Sequence, residues 1–394
     1  MSVQKVLIAG GGIGGLTAAA YLLQEGFDVE VYEQAKQLGE VGAGIQVSAN
    51  ASRVYQHIGI LDDLIQAGYL PDQYRFRTFD EGAVLQSIPL GTQYIDKHQV
   101  PYISVHRADL HSLLVKRVQS LKPDAVTLNA EVTAYSQDER GVSLEFKNGN
   151  SARGDLLIGA DGIKSVIRKL TLGDTPVNYT GDSSWRVIVP MKSLPPEYQA
   201  NSVDIWVGPG KHAVTYPLRG GELMNLVACV EQQDHDEESW VTKRPWQELY
   251  NDFRGWHGAI EAIIEAADHD ECYRWAMNNR QPVDNWSQGR VTLLGDAAHP
   301  TLPYMAQGAA MAVEDAAVLS RAIQMTNSAE EAVQLYQRNR IERTAKIVNE
   351  SSDNRRLFHL DSVDALKQAF AERDMKAERT AWLFSYDPTS VSLV

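Results

Sequence analysis

The sequence predicts an α/β fold: a body of parallel strands and helices, interrupted by an inserted antiparallel sheet and closed by a C-terminal helical segment. Three observations carry this reading. A short apolar strand, a glycine-rich turn and an alanine-rich helix open the chain; period-two runs broken by Pro and Gly fill about 176 to 279; and a charged helical pattern runs on from about Ala329.

Taken in order, Lys5 to Ala9 (KVLIA) reads as a strand buried on both faces, Gly10 to Gly15 as its turn, and Leu16 to Glu25 as a helix closed at Gly26. Phe27 to Glu33 (FDVEVYE) is then a second strand, which completes a Rossmann-like βαβ unit. Asn148-Gly149 marks a hairpin turn within Gly141 to Ala160, and Asp155 to Ala160 is a third buried strand. Arg290 to Gly295 (RVTLLG) is another, followed by a helix over Gln307 to Gln324. In the middle section Val203 to Val207 and His212 to Leu218 alternate as antiparallel strands do. Beyond Ala329, Arg338, Arg340, Arg343 and Lys346 near Glu342 and Glu350 predict a solvated helix. The domains read as discontinuous: 1–72, 98–175 and 280–345 form the nucleotide-binding body, 73–97 and 176–279 the inserted sheet domain, and 346–394 the helical segment.

The chain has 394 residues, enough for two or three packed modules around a large core, with 44% hydrophobic and 22% charged residues as in ordinary globular proteins. A formal net charge of −14 offers no basic footprint for nucleic acid. Cys229 and Cys272 form no CxxC pair, so a disulfide framework, a zinc site or a dithiol redox centre is not expected, no metal is assigned, and a reducing cytoplasm suits the chain. Val6 to Leu23 is an uncharged run of 18 residues, but five of them are glycine in a strand-to-helix turn, so it is not read as a membrane span.

Gly10, Gly12 and Gly15 satisfy GxGxxG directly after a strand and at the start of a helix, and Glu33 follows 18 residues after Gly15. The first glycine permits the turn, the second lets backbone N–H groups approach a pyrophosphate, and the third allows close helix packing. The helix N-terminus favours the anion, and Glu33 is placed to accept hydrogen bonds from an adenosine ribose. A glycine-rich turn beside a surface glutamate is the bland alternative, but it does not explain why all these elements arrive in order. Gly159-Ala160-Asp161-Gly162 and Gly295-Asp296-Ala297-Ala298-His299-Pro300 each put an aspartate at a strand end, where N-capping is the bland alternative.

With GGGIGG and Glu33, the segments Gly42-Ala43-Gly44-Ile45, His106-Arg107-Ala108-Asp109-Leu110, GADG and GDAAHPTLPYMAQGA (Gly295 to Ala309) give a chain that resembles, over almost its whole length, the class A FAD-dependent aromatic hydroxylases. That group includes salicylate hydroxylase, 3-hydroxybenzoate 6-hydroxylase and 6-hydroxynicotinate 3-monooxygenase. The resemblance implies an FAD-binding domain of the GR2 type, with the inserted sheet domain holding substrate. It implies that Asp296 binds the ribityl chain and that Gly44 and Arg107 lie near the flavin, Arg107 also near its phosphates. Asp161 matches a segment linked to FAD and NAD(P)H. Gly308 and Ala309 open a helix whose N–H groups and dipole suit negative charge on the pyrimidine edge of the ring. Without a second GxGxxG, NADH or NADPH is expected to bind transiently as co-substrate.

For the substrate pocket, His212 and Tyr216 share one face of a strand and span roughly 13 Å of backbone, enough to approach a benzoate-sized ring from opposite ends. The resemblance supports both as catalytic residues. The near-neutral pKa of an ordinary histidine suits His212 to removing a phenolic proton. A core tyrosine and a satisfied histidine are the plain alternative, and Tyr216 has the further option of only hydrogen-bonding a carboxylate. Gln46 stands where the hydroxynicotinate enzyme has histidine, so it is expected to face the pocket without acting as a base. Pro303 and Tyr304 lie in a loop that varies with substrate, and His299 is read as structural.

The activity implied is hydroxylation of a small phenolic or hydroxypyridine carboxylate with NAD(P)H and O2, through a flavin C4a-hydroperoxide. The expected partners are a small aromatic substrate and O2, with no nucleic acid and no membrane, in a monomer or homodimer. A flavin oxidase, dehydrogenase or halogenase on the same scaffold is the alternative enzyme, although Trp185 to Pro190 (WRVIVP) lacks the second tryptophan of the halogenase pattern. A dinucleotide-binding sensor is the alternative outside catalysis.

Overall fold

The computed structural model describes residues 3–39, 43–232 and 243–394. Its central six-stranded sheet runs Ser287–Gln288, Val291–Leu293, Leu156–Gly159, Lys5–Ala9, Asp28–Tyr32, Val126–Thr127, and all its pairings are parallel except that of the edge strand Ser287–Gln288. Lys5–Ala9 pairs on both sides, and Val6, Leu7 and Ile8 are fully buried, as continuous apolar runs in parallel sheets are. The helix Ile13–Gln24 packs on the helices Arg107–Leu121 and Gly308–Met325. It starts three residues earlier than the periodicity predicts, because Gly14 and Gly15 are themselves helical. A Cβ on Gly14 would lie 2.7 Å from Leu294 Cδ2, and one on Gly15 would collide with the Gly10 carbonyl oxygen.

A seven-stranded sheet is ordered Tyr273–Asn279, Asn178–Pro190, Leu223–Glu231, Lys211–Leu218, Val203–Gly208, Gln73–Thr78, Val84–Pro89. Its pairings are antiparallel except that between Val203–Gly208 and Gln73–Thr78. Strand alternation divides its side chains between two cores. Trp185, Val187, Ala213, Leu226 and Ala228 pack with the helices Trp246–Phe253 and Gly258–Glu265, whereas Tyr216, Val227 and Cys229 join the core of the parallel body. The interface between this sheet and the parallel body is where the functional cavity forms.

The 30-residue helix Ala329–Phe358 exposes Arg338, Glu342 and Lys346 as expected of a solvated element, but corrects that expectation on its other face. Arg340 is fully buried, with Nη2 2.6 Å from Glu314 Oε2 and Nε 2.7 Å from Asp315 Oδ1, and Arg343 Nη2 lies 2.7 Å from Glu314 Oε1. The charges face acidic partners on the Gly308–Met325 helix, so burying them leaves them paired. Among the described residues no helix is long and apolar enough to cross a membrane.

Candidate active site

A cavity of about 280 Å³ lies between the glycine turn, the start of the Gly308–Met325 helix and the inner face of the seven-stranded sheet. At the turn, Gly10 has φ +109°, and a Cβ there would strike the Ala160 carbonyl oxygen. Gly12 has nothing within 4 Å of where a Cβ would stand, so its backbone is open on the cavity side. Glu33 accepts the N–H groups of Gly11 and Ala35, each at 2.8 Å, which anchors the turn and leaves acceptor lone pairs over. His111, which sequence reasoning missed, reaches the Gly11 carbonyl with Nε2 at 2.8 Å.

Gly44, Arg107, Asp296, Gly308 and Ala309 all line the cavity. Gly44 donates its N–H to Asn225 Oδ1 at 2.9 Å and faces Tyr216 so closely that a Cβ would overlap the phenol ring. Arg107 opens the helix Arg107–Leu121, and its own N–H reaches the Ala43 carbonyl at 3.1 Å. Gly42 of the same motif lies outside the described residues. The helix Gly308–Met325 has no side-chain N-cap and no acidic residue in its first turn, so its positive end faces the cavity uncompensated. Asp161 is placed differently from Asp296: its carboxylate accepts from Ser165 Oγ and from the N–H groups of Val166 at 2.8 Å and Ile167 at 3.1 Å, capping the next helix, and it does not line the cavity. Its neighbours Ala160 and Gly162 do.

On the sheet side, His212, Val214 and Tyr216 face the cavity from one strand, and Cys229 and Val227 from the next. Gln46 also lines it and accepts the Tyr102 hydroxyl at 2.5 Å. Pro303 borders it, but Tyr304 does not: that ring is buried, and its hydroxyl donates to Asp182 at 2.7 Å. His299 is buried with Nε2 2.6 Å from Asp315 Oδ2, a structural contact within the segment that follows Asp296.

Two electrostatic findings change the chemistry expected of the site. Burial pushes the His212 pKa well below its ordinary value, with His359 adding to the shift, so the near-neutral pKa on which its role as base was argued does not hold. Burial raises the Tyr216 phenol, against the opposing effect of Arg186, and keeps it protonated. Arg186 itself went unassigned in the sequence. It lines the cavity, stacks over Trp275 at 4.3 Å, has an Nε without a hydrogen-bond partner, and pairs with no carboxylate among the described residues. Burial lowers its pKa to about 10. The signal was a lone cation inside the apolar alternation Trp185-Arg186-Val187-Ile188-Val189.

Gly12 with its open backbone, the strand-end Asp296 and the uncapped N-terminus of the Gly308–Met325 helix meet on one cavity, with Glu33 anchoring the glycine turn beside it, an arrangement that fits FAD and a flavoprotein of the dinucleotide-binding type. The FAD binding domain family matches residues 4–351. The chain is 38% identical to a 3-hydroxybenzoate 6-hydroxylase of Polaromonas naphthalenivorans over 97% of this chain and 96% of that one. It is 35% identical to a 6-hydroxynicotinate 3-monooxygenase of Pseudomonas fluorescens over 99% and 97% respectively. The crystal structure of Klebsiella pneumoniae HpxO complexed with FAD and uric acid superposes with a TM-score of 0.83 at 30% identity, covering 95% of this chain and 94% of that one. The chain belongs to the family of FAD-dependent aromatic hydroxylases. It is an enzyme, an aromatic monooxygenase that uses FAD and NAD(P)H.

Proposed function

We propose that the enzyme hydroxylates a small phenolic or hydroxypyridine carboxylate whose ring lies between His212 and Tyr216 and whose carboxylate meets Arg186. The observation that carries this reading is Arg186, a cation without an acidic partner among the described residues, on the same cavity wall as His212 and Tyr216. A half-buried guanidinium whose Nε is shielded from water is costly until an anion pairs with it, and its planar fork matches a carboxylate. Gly10, Gly12, Gly15 and Glu33 are assigned to the adenosine diphosphate end, and Gly44, Arg107, Asp296, Gly308 and Ala309 to the flavin end. FAD held there would accept a hydride from NAD(P)H and supply the activation of O2 from which one oxygen is transferred to the ring. The protein's own residues orient the ring, keep Tyr216 as a hydrogen-bond donor, exclude bulk water and accept the phenolic proton at His212. Asp161 serves this site by capping the helix beside the cavity, and Tyr304 by holding Asp182 behind His212. Two buried free cysteines suit a reducing compartment, and we place the enzyme in the cytoplasm as a monomer or homodimer.

The test is a screen of 3-hydroxybenzoate, salicylate and 6-hydroxynicotinate against the corresponding uncharged phenols, reading stimulated NADH or NADPH oxidation and incorporation of labelled O2 into product. Aromatic acids should stimulate and be oxygenated. Equal turnover of uncharged phenols would remove Arg186 from substrate recognition.

A further inference from the structure

His212 is 1% exposed, and its ring centroid lies 4.6 Å from that of Tyr304, 5.4 Å from Phe358 and 5.1 Å from His359. An imidazolium in such surroundings is poorly stabilised, so His212 alone is a weak resting place for a proton. Its Nδ1, however, lies 2.8 Å from His359 Nε2, and His359 Nδ1 lies 2.9 Å from Glu231 Oε1. The Glu231 side chain is 42% exposed, so three groups connect the cavity wall to solvent.

The tautomers follow from donor and acceptor chemistry. An ionised carboxylate only accepts, so His359 donates Nδ1–H to Glu231. Burial lowers the His359 pKa and keeps the ring neutral, which makes its Nε2 the acceptor. His212 must then donate Nδ1–H, and its lone pair is left on Nε2, the ring nitrogen that His359 does not engage, on a residue that lines the cavity.

We propose that His212, His359 and Glu231 form a proton wire that carries the phenolic proton of a bound substrate out to water. This rests on the reading that a phenol lies against His212. As the phenol O–H breaks and His212 Nε2–H forms, Nδ1–H passes to His359 Nε2, and His359 Nδ1–H passes to Glu231. One proton enters and one leaves, no charge stays on either imidazole, and both tautomers are reversed. Glu231 then gives its proton to water; when it takes one back, the relay runs in the opposite direction, returns a proton to the product phenolate and restores the starting tautomers.

The surrounding groups do not compete for the proton. Asp182 Oδ2 accepts from Tyr304 at 2.7 Å and from Arg355 Nε at 2.6 Å, and Arg355 Nη2 is 3.4 Å from Glu231. Asp182 Oδ1 has no hydrogen-bond partner among the described residues, and neither oxygen is hydrogen-bonded to His212 or His359. Cys229 faces His212 across the sheet, and burial pushes its thiol up to about 12, so it is neutral. Asp182, Glu231 and His359 bring ligand atoms within 4.8 Å of one another, a spacing that would suit a metal ion, but the Arg355 guanidinium already spans the two carboxylates.

Two measurements on the FAD-loaded protein test the wire. Ring-nitrogen NMR of histidine-labelled enzyme without substrate should show both His212 and His359 as Nδ1–H tautomers; Nε2–H on His212 overturns the proposal. In stopped flow without NAD(P)H, in weak buffer with a pH indicator, 3-hydroxybenzoate should release a proton rapidly from wild type. His359→Phe, with an unaltered flavin spectrum, should slow that release by about tenfold or more. Glu231→Gln, at the exposed end and safe for folding, should slow it less and recover with added imidazole buffer. Release at the wild-type rate in both variants refutes the wire while leaving the pocket assignment standing. Binding of 3-hydroxybenzoate to wild type with no proton released refutes that assignment, and the wire with it.

Discussion

Replacing Arg340 by methionine should destabilise the protein by about 3 kcal/mol, the lower end of the roughly 3–5 kcal/mol lost when one partner of a buried ion pair is removed. Arg340, Glu314 and Asp315 are each 0% exposed, so neither carboxylate can turn to water once the guanidinium is gone. The lower end applies because partial compensation remains. Glu314 keeps Arg343 at 2.7 Å, and Asp315 keeps His299 at 2.6 Å and the Gly295 N–H at 3.0 Å. The effect should reach cofactor binding, since Asp315 holds Gly295 and Asp296, which lines the cavity and which we assign to the flavin, follows it in the chain. Urea unfolding of the FAD-loaded protein, read by circular dichroism and flavin fluorescence, measures both. Arg338→Met on the exposed face of the same helix serves as control, with an expected loss below about 0.5 kcal/mol. A loss under about 1 kcal/mol for Arg340→Met would show that the buried network contributes little and refute the reasoning.

Gly12→Ala should fold normally and bind FAD poorly, because its Cβ meets no protein atom but would occupy the side open to the pyrophosphate, whereas Gly15→Ala should lower thermal stability even without FAD. Differential scanning of apo and FAD-loaded protein separates the two. Arg186→Gln should raise KM for a carboxylate substrate by about 10–100-fold, the loss of one charge-assisted hydrogen bond of roughly 1.5–3 kcal/mol, with the flavin spectrum unchanged in a titration. Acid should unfold the protein in two stages, followed by urea midpoints from pH 7 to 2. Burial, with Arg53 adding, lowers the His98 pKa to about 4, so the unfolded chain takes up a proton near 6.5 that the folded chain refuses, and stability present above 6.5 is lost as the pH falls to about 4. Burial alone would raise Asp315, but His299 and Arg340 outweigh it and hold the carboxyl at about 2, so its contribution, present above 3.8, is lost as the pH falls toward 2. His98→Phe should reduce the first stage without abolishing it, since burial also lowers His212 and His359, and should leave the second unchanged.

Much of the backbone geometry that we assign to the dinucleotide is legible in the sequence, because most of its determinants are local. Gly15 is confined by the Gly10 carbonyl within a single turn and Glu33 is carried back to that turn by one βαβ unit, whereas the space at Gly10 is closed by Ala160 from a remote strand. The four-residue interval from His212 to Tyr216 likewise becomes a shared face as soon as the segment is a strand. Even the capping by Asp161 is a short-range event, satisfied by the N–H groups five and six residues on.

What the linear chain determined by itself, then, was the set of contacts made within a turn, a strand or one βαβ unit, where backbone geometry leaves few choices. Only the tertiary structure decided which charges are buried. Arg340 looks like any solvated helical arginine until Glu314 and Asp315 arrive from the neighbouring helix, and His212 looks like an ordinary base until His359, 147 residues away, closes on its Nδ1. The physical reason is that a side chain's desolvation and its partner are both supplied by remote segments. A charged residue in sequence carries no mark of whether water or an opposite charge will meet it.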